Sequence, residues 1–138
     1  MSDRVELQAE VDAARADVFP LLATAEGLAR RLDEAELDAR VGGRVRFRLR
    51  DGVAVGEVLS LQPIQHISFT WDWEARSLGQ ASVVAFDAID HGKRTHVTFR
   101  HVNLPNPVQV DLHEEMWRHW IKRFVSAVDD LRTEGDAR

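Results

Sequence analysis

Five turn signals punctuate residues 35–103: Gly42-Gly43, Asp51-Gly52, Gln62-Pro63, a loop around Ser77-Leu78-Gly79, and His91-Gly92. Segments bounded in this way read as the strands of an antiparallel meander, and no other feature constrains the fold as much. Ahead of them, Val5, Leu7, Ala9 and Val11 alternate with Glu6, Gln8 and Glu10, the period-two pattern of a strand with one buried face. Residues 13–32 change period: Val18, Leu21, Leu22, Ala25, Leu28 and Leu32 recur at steps of three and four. Pro20 and Gly27 argue against one rod and for two short helices. The first is expected to start late enough to hold Pro20 near its N-terminal turn, and Thr24 is placed to cap the second. Pro105 and Pro107 end the sheet, residues 108–132 read as one long helix, and Thr133 to Arg138 form a polar tail.

If the hairpin loops hold two residues each, cross-strand partners follow from the sequence. A loop at Asp51-Gly52 sets Phe47 opposite Gly56, Val45 opposite Val58 and Arg46 opposite Glu57. A loop at Gln62-Pro63 sets Val58 opposite Ile67, Gly56 opposite Phe69 and Ala54 opposite Trp71. A loop at His91-Gly92 sets Phe86 opposite Val97, Val84 opposite Phe99 and Asp87 opposite His96. One face then gathers Val45, Phe47, Leu49, Ala54, Gly56, Val58, Ile67, Phe69, Trp71 and Trp73, with His101 inward as well. The other face carries Arg44, Arg46, Arg48, Arg50, Glu57, His66 and Asp72. Gly56 beside the small Ala54 suggests a sheet that bends or leaves space at its centre.

The stretch DLHEEMWRHW begins like a His-Glu-x-x-His zinc motif, but Trp117 stands where the second histidine belongs. His119 lies six residues from His113, roughly 120° around a helix, so the two rings cannot chelate together. On the wheel, Leu112, Met116, Trp117, Trp120, Ile121, Phe124, Ala127, Val128 and Leu131 make a broad apolar arc, with His113 inside it. Glu114, Glu115, Arg118, Lys122 and Asp129 cover the opposite side. The helix therefore lies with this arc on the sheet.

Composition sets outer limits. The 138 residues suit one domain with an ordered core over about 4–132, and a net charge of −5 with only two lysines does not advertise nucleic acid. The absence of cysteine excludes disulfides, thiolate metal sites and a cysteine nucleophile. No signal-peptide pattern and no long apolar run occurs, which points to the cytoplasm and to no membrane span. No phosphate loop, dinucleotide fingerprint, nucleophile elbow or paired-carboxylate motif is present, so neither a cofactor nor a metal is expected. The acidic run Asp33, Glu34, Glu36 and Asp38, and the arginine series on the strand after it, read as solvated faces. Val53, Val55, Leu59 and Ile64 point outward unexplained, to be covered by the N-terminal helices or by a second subunit in a homodimer.

An initial strand, two short helices, a curved antiparallel sheet of about six or seven strands and a long C-terminal helix make an α+β helix-grip fold. Here four blocks, LDARVGGRVRFRLRDG, GEVLSLQPIQHISFTW, KRTHVTFRHVNLP and HEEMWRHWIKRFVSAVDDL, resemble in order those of bacterial SRPBCC (START-like) proteins related to the C-terminal domain of the heat-shock-protein-90 ATPase activator. The resemblance covers about Val5 to Leu131. The sequence departs from the family at Arg31-Leu32-Asp33, where relatives often carry a tryptophan pair that borders the cavity mouth. The resemblance implies an apolar cavity between sheet and helix. Its candidate walls are Phe47, Gly56, Phe69, Trp71, Phe86, Phe99, Met116, Trp117, Trp120 and Phe124, with His101 and His113 as polar groups that orient a small hydrophobic ligand. The bland alternative is a filled aromatic core in which each histidine satisfies a buried hydrogen bond, to Asp111, Thr95 or a backbone carbonyl. Two further roles remain open from the resemblance: interaction with the chaperone, and a polyketide cyclase-like enzyme.

Overall fold

The computed structural model describes residues 3–29 and 34–136, which include every expected element; Arg31, Leu32 and Asp33 lie outside the described residues. The elements are β1 (Val5–Val11), α1 (Arg15–Ala23), α2 (Ala25–Ala29), β2 (Glu34–Leu37), β3 (Arg44–Leu49), β4 (Gly52–Gln62), β5 (His66–Trp73), β6 (Ser82–His91), β7 (Arg94–Val102) and α3 (Pro107–Asp136). All strands join one antiparallel sheet in the order β1-β7-β6-β5-β4-β3-β2, and α3 packs its apolar arc on the inner face, apart from Leu112, which is 54% exposed. This is the helix-grip arrangement that the meander and the amphipathic C-terminal segment imply. α3 runs to Asp136 and takes in four residues assigned to the tail, because nothing in Thr133-Glu134 breaks a helix.

All three hairpin registers differ from the expected ones. Leu49 pairs with Gly52, so the loop is Arg50-Asp51, Phe47 faces Ala54, Val45 faces Gly56, and Glu57 meets Arg44 rather than Arg46. His91 pairs with Arg94, so the loop is Gly92-Lys93, with Gly92 in the left-handed region at φ 69; Phe86 faces Phe99, Val84 faces His101, and Asp87 faces Thr98. Each shift is two residues, which changes partners and leaves the faces as expected.

The hairpin between β4 and β5 differs more. Its turn holds Pro63, Ile64 and Gln65, with Gln65 N–H bonded to the Gln62 carbonyl at 3.0 Å. Proline second and a positive φ third, 60° at Ile64, is the pattern of a type II turn with a β-branched residue where glycine is favoured. This loop alone would put β4 out of phase with β5. A bulge between Val58 and Ser60 inserts Leu59 and restores the phase, so Val58 faces Phe69 rather than Ile67 and Ala54 faces Trp73 rather than Trp71.

The N-terminal helices act as a pair. Thr24 caps α2 by accepting from Gly27 N–H at 2.9 Å, as expected. Pro20 is not in the first turn of α1 but is its sixth residue, where it forfeits a bond to the Ala16 carbonyl; its own carbonyl accepts from the Thr24 hydroxyl at 2.6 Å. Gly27 is required by closeness, since a Cβ there would stand 2.1 Å from the Pro20 carbonyl oxygen. α1 lies against β6, β7 and α3, and α2 against β2. Neither covers Leu59 or Ile64, which are 46% and 39% exposed. The arginine row meets carboxylates, with Arg46 at 3.4 Å from Glu74 and Arg48 at 3.2 Å from Glu34. Among the described residues, no helix is long and apolar enough to cross a membrane.

Candidate functional site

α3 delivers His113, Trp117, Trp120 and Phe124 to the inner face of the sheet, all buried, while His119 is exposed on the far side. They meet Trp71, Phe86 and Phe99: Trp71 and Trp117 have ring centroids 5.2 Å apart, Phe86 stacks on Trp120 at 5.3 Å, and Phe99 packs edge-on against Phe124 at 5.5 Å. Phe69 joins this cluster through Phe47 and Phe86, each at 5.7 Å. The cavity left in it measures about 10 Å³, room for one water molecule. Of the expected wall, Phe47, Trp71, Phe86, Trp117 and Trp120 ring it, joined by Leu28 of α2 and Leu49 of β3. Phe69, Phe99 and Phe124 stand in the surrounding core, and Met116 is half-buried beside it. Gly56 turns elsewhere: a Cβ there would lie 1.8 Å from the Thr70 carbonyl oxygen, so this glycine serves a close approach of β4 to β5. An open depression of about 440 Å³ along α3, lined among the described residues by Arg123, Ser126, Ala127 and Asp130, receives none of the expected groups.

Hydrogen-bond directions assign a role to each histidine. Ser82 donates its hydroxyl to the Trp71 carbonyl at 2.5 Å, so its oxygen accepts from His101 Nε2 at 2.8 Å. His101 Nδ1 then accepts from Trp117 Nε1 at 3.0 Å. On α3, His113 Nδ1 donates to the Gln109 carbonyl at 2.7 Å, and its Nε2 accepts from Trp73 Nε1 at 3.0 Å. Both rings are thus neutral, each with one nitrogen donating and one accepting. A second proton on either would set two donors face to face. Burial, with the neighbouring His113 ring 4.9 Å away, pushes His101 down to about 3; burial also lowers His113. The backbone carbonyl was among the expected partners of these histidines, whereas Asp111 was not needed and Thr95 instead donates to the Ala13 carbonyl at 2.7 Å. Ser82 and Trp73 were not expected in this role; a serine in an otherwise apolar inward-facing series on β6 is the one signal that marked the first.

Among the described residues that line the cavity, one side-chain polar atom is left over. Trp71 is 1% exposed, its ring lines the cavity, and its Nε1 has no acceptor. Among the described residues, no group of three histidine, aspartate or glutamate side chains is placed to hold a metal ion.

The profile of the family described as "Activator of Hsp90 ATPase homolog 1-like protein" matches residues 12–129. The chain belongs to this family. Among solved structures, protein MLL2253 from Mesorhizobium loti is 19% identical with a TM-score of 0.81, covering 92% of this chain and 97% of that one. Aha1 from Colwellia psychrerythraea, solved as a dimer, is 18% identical with a TM-score of 0.78 over 91% and 95% of the two chains. PFC0360w, an HSP90 activator from Plasmodium falciparum, is 20% identical with a TM-score of 0.76 over 96% and 97%. At these identities the likeness is one of fold. No curated protein matches the chain.

Proposed function

We propose that this member of the family is a cytoplasmic binding protein for a small, largely apolar molecule carrying one hydrogen-bond acceptor, seated between the sheet and α3. The observation that carries the reading is the unpartnered Trp71 N–H in the cavity wall. A buried donor left unpaired costs about 1–3 kcal/mol, which a carbonyl or ether oxygen of a ligand would recover. With both nitrogens of His101 and of His113 engaged, this reading gives the ligand contact to Trp71 rather than to either imidazole. The same occupancy leaves a cyclase-like enzyme without a free acid or base in the cavity. At about 10 Å³ the space must widen on binding, and Leu28 and Leu49 are the aliphatic members of an otherwise aromatic wall. The test is native mass spectrometry of the purified protein, then thermal shifts against lipids, aromatic acids and polyketide-like compounds. A stabilisation of several degrees that Trp71→Phe weakens about tenfold supports the reading. No stabilisation by any compound defeats it, and equal binding by the variant defeats the role of Trp71.

A second reading, interaction with heat-shock protein 90, is favoured by the family's description and by the likeness to Colwellia Aha1 and to PFC0360w. It is supported if the full chain stimulates the chaperone's ATPase, and refuted if saturating protein leaves that rate unchanged.

A further inference from the structure

We propose that Ser60 is an activated serine nucleophile on the outer face of the sheet, with His66 as its general base and Asp87 as the residue that positions the base. The substrates this arrangement suits are small activated esters. The ligand cavity lies on the other side of the sheet, so the two proposals stand or fall separately.

The bulge builds this site. With the pairing of Val58 and Phe69 continued in phase, Ser60 would fall opposite Ile67, on the core face. With Leu59 inserted, Ser60 lies opposite Ser68 and turns outward, on the same face as His66. β5 and β6 complete it, since His66 is the direct partner of Asp87. Ser60 Oγ stands 2.8 Å from His66 Nε2, and His66 Nδ1 stands 2.7 Å from Asp87 Oδ1.

A carboxylate only accepts, so the neutral imidazole carries its proton on Nδ1 and offers the Nε2 lone pair to the Ser60 hydroxyl. Ser68, 7% exposed, also bonds Ser60 Oγ. With the Ser60 proton directed to His66, the Ser68 hydroxyl must be the donor of that bond, and it stabilises negative charge on the Ser60 oxygen. The order is nucleophile, base and orienting carboxylate, at the separations that acyl transfer needs. The His66 and Asp87 side chains are 24% and 31% exposed, open to a small substrate. Leu59 precedes the nucleophile and Ile64 lies in the adjoining turn, and both expose apolar surface that suits an apolar acyl group.

In the reaction, Ser60 Oγ bonds to the ester carbonyl carbon while its proton moves to His66 Nε2. The C–O bond to the leaving group then breaks, and the phenol or alcohol departs with that proton. Water then bonds to the acyl carbon as its proton passes to His66 Nε2, the bond to Ser60 Oγ breaks, that proton returns to the serine oxygen, and the carboxylic acid is released. The relay supplies base catalysis, on the order of 10²–10⁴-fold, and the proposal assigns no oxyanion hole to the site. This limits it to activated esters and excludes amides.

The experiment is labelling of the full chain with a fluorophosphonate probe, in which the Ser60 O–P bond forms, the P–F bond breaks and fluoride leaves. The expected result is one adduct, mapped to Ser60 by peptide mass and absent in Ser60→Ala. His66→Gln should label about a hundredfold more slowly and Asp87→Asn about tenfold, each with a melting temperature close to that of the parent. In His66→Ala, added imidazole should restore labelling, which a merely structural histidine would not allow. No adduct, an adduct at another residue, or undiminished labelling of His66→Gln overturns the proposal.

Discussion

Acid should loosen this protein through His101. The ring is 1% exposed, both nitrogens are engaged, and its folded pKa lies at about 3 against an ordinary 6.5. Because the folded value is depressed, the unfolded chain binds the proton first. Stability is therefore complete above pH 6.5 and falls as pH drops from there toward 3. At pH 4.5, two units below the ordinary value, the loss from this residue alone is about 3 kcal/mol, and His113 adds to it in the same direction. The assay is urea unfolding at pH 7.0, 5.5 and 4.5 for the parent and for His101→Gln, whose amide can still accept from Trp117 and donate to Ser82. The parent should lose about 3 kcal/mol more than the variant between the extremes, with unchanged dependence on urea. Equal losses in the two proteins would refute the assignment of His101 as a neutral acceptor for Trp117.

Two backbone positions give sharper numbers. Gly56→Ala sets a methyl 1.8 Å from the Thr70 carbonyl oxygen and should destabilise by about 3 kcal/mol, seen as a lower urea midpoint; an unchanged midpoint would mean that β4 and β5 can separate freely there. Ile64→Gly should raise stability by about 0.5–1 kcal/mol, because relief of a left-handed β-branched residue outweighs the extra chain entropy of glycine, and a melting temperature that stays or falls would contradict this.

These positions also mark where sequence reasoning ends. Period-two alternation carries only the parity of a residue, and parity holds where a strand is regular: His101 faces inward, Arg44 outward, and the two tight hairpins are each offset by two residues, whereas beyond the bulge at Leu59 it inverts and Ser60 turns outward. The partner itself depends on where a loop closes, and Asp51-Gly52 and Arg50-Asp51 were equally consistent with the pattern. The bulge at Leu59 had no signal of its own, since it corrects a phase error that arises only once the turn at Pro63 takes three residues. For the same reason the wheel found His113 but not Trp73, and the strand pattern found His101 but not Ser82. Those partners are set by how deep α3 sits on the sheet, a distance that no periodicity encodes.

The lacing of β1 to β7 has a consequence in time. Val5 through Val11 bond to His101 through Thr95, so the first strand made finds its partner only after every other strand has been synthesised. Until then its apolar side has no neighbour, and β7 lacks half of its ladder. The inner strands can zip locally as hairpins while the chain is still emerging, but the sheet acquires its final edge in a single late event that also anchors the root of α3. Closure of this longest loop is the step expected to set the pace of folding, and β1 is the segment that a holding chaperone would need to shield until then.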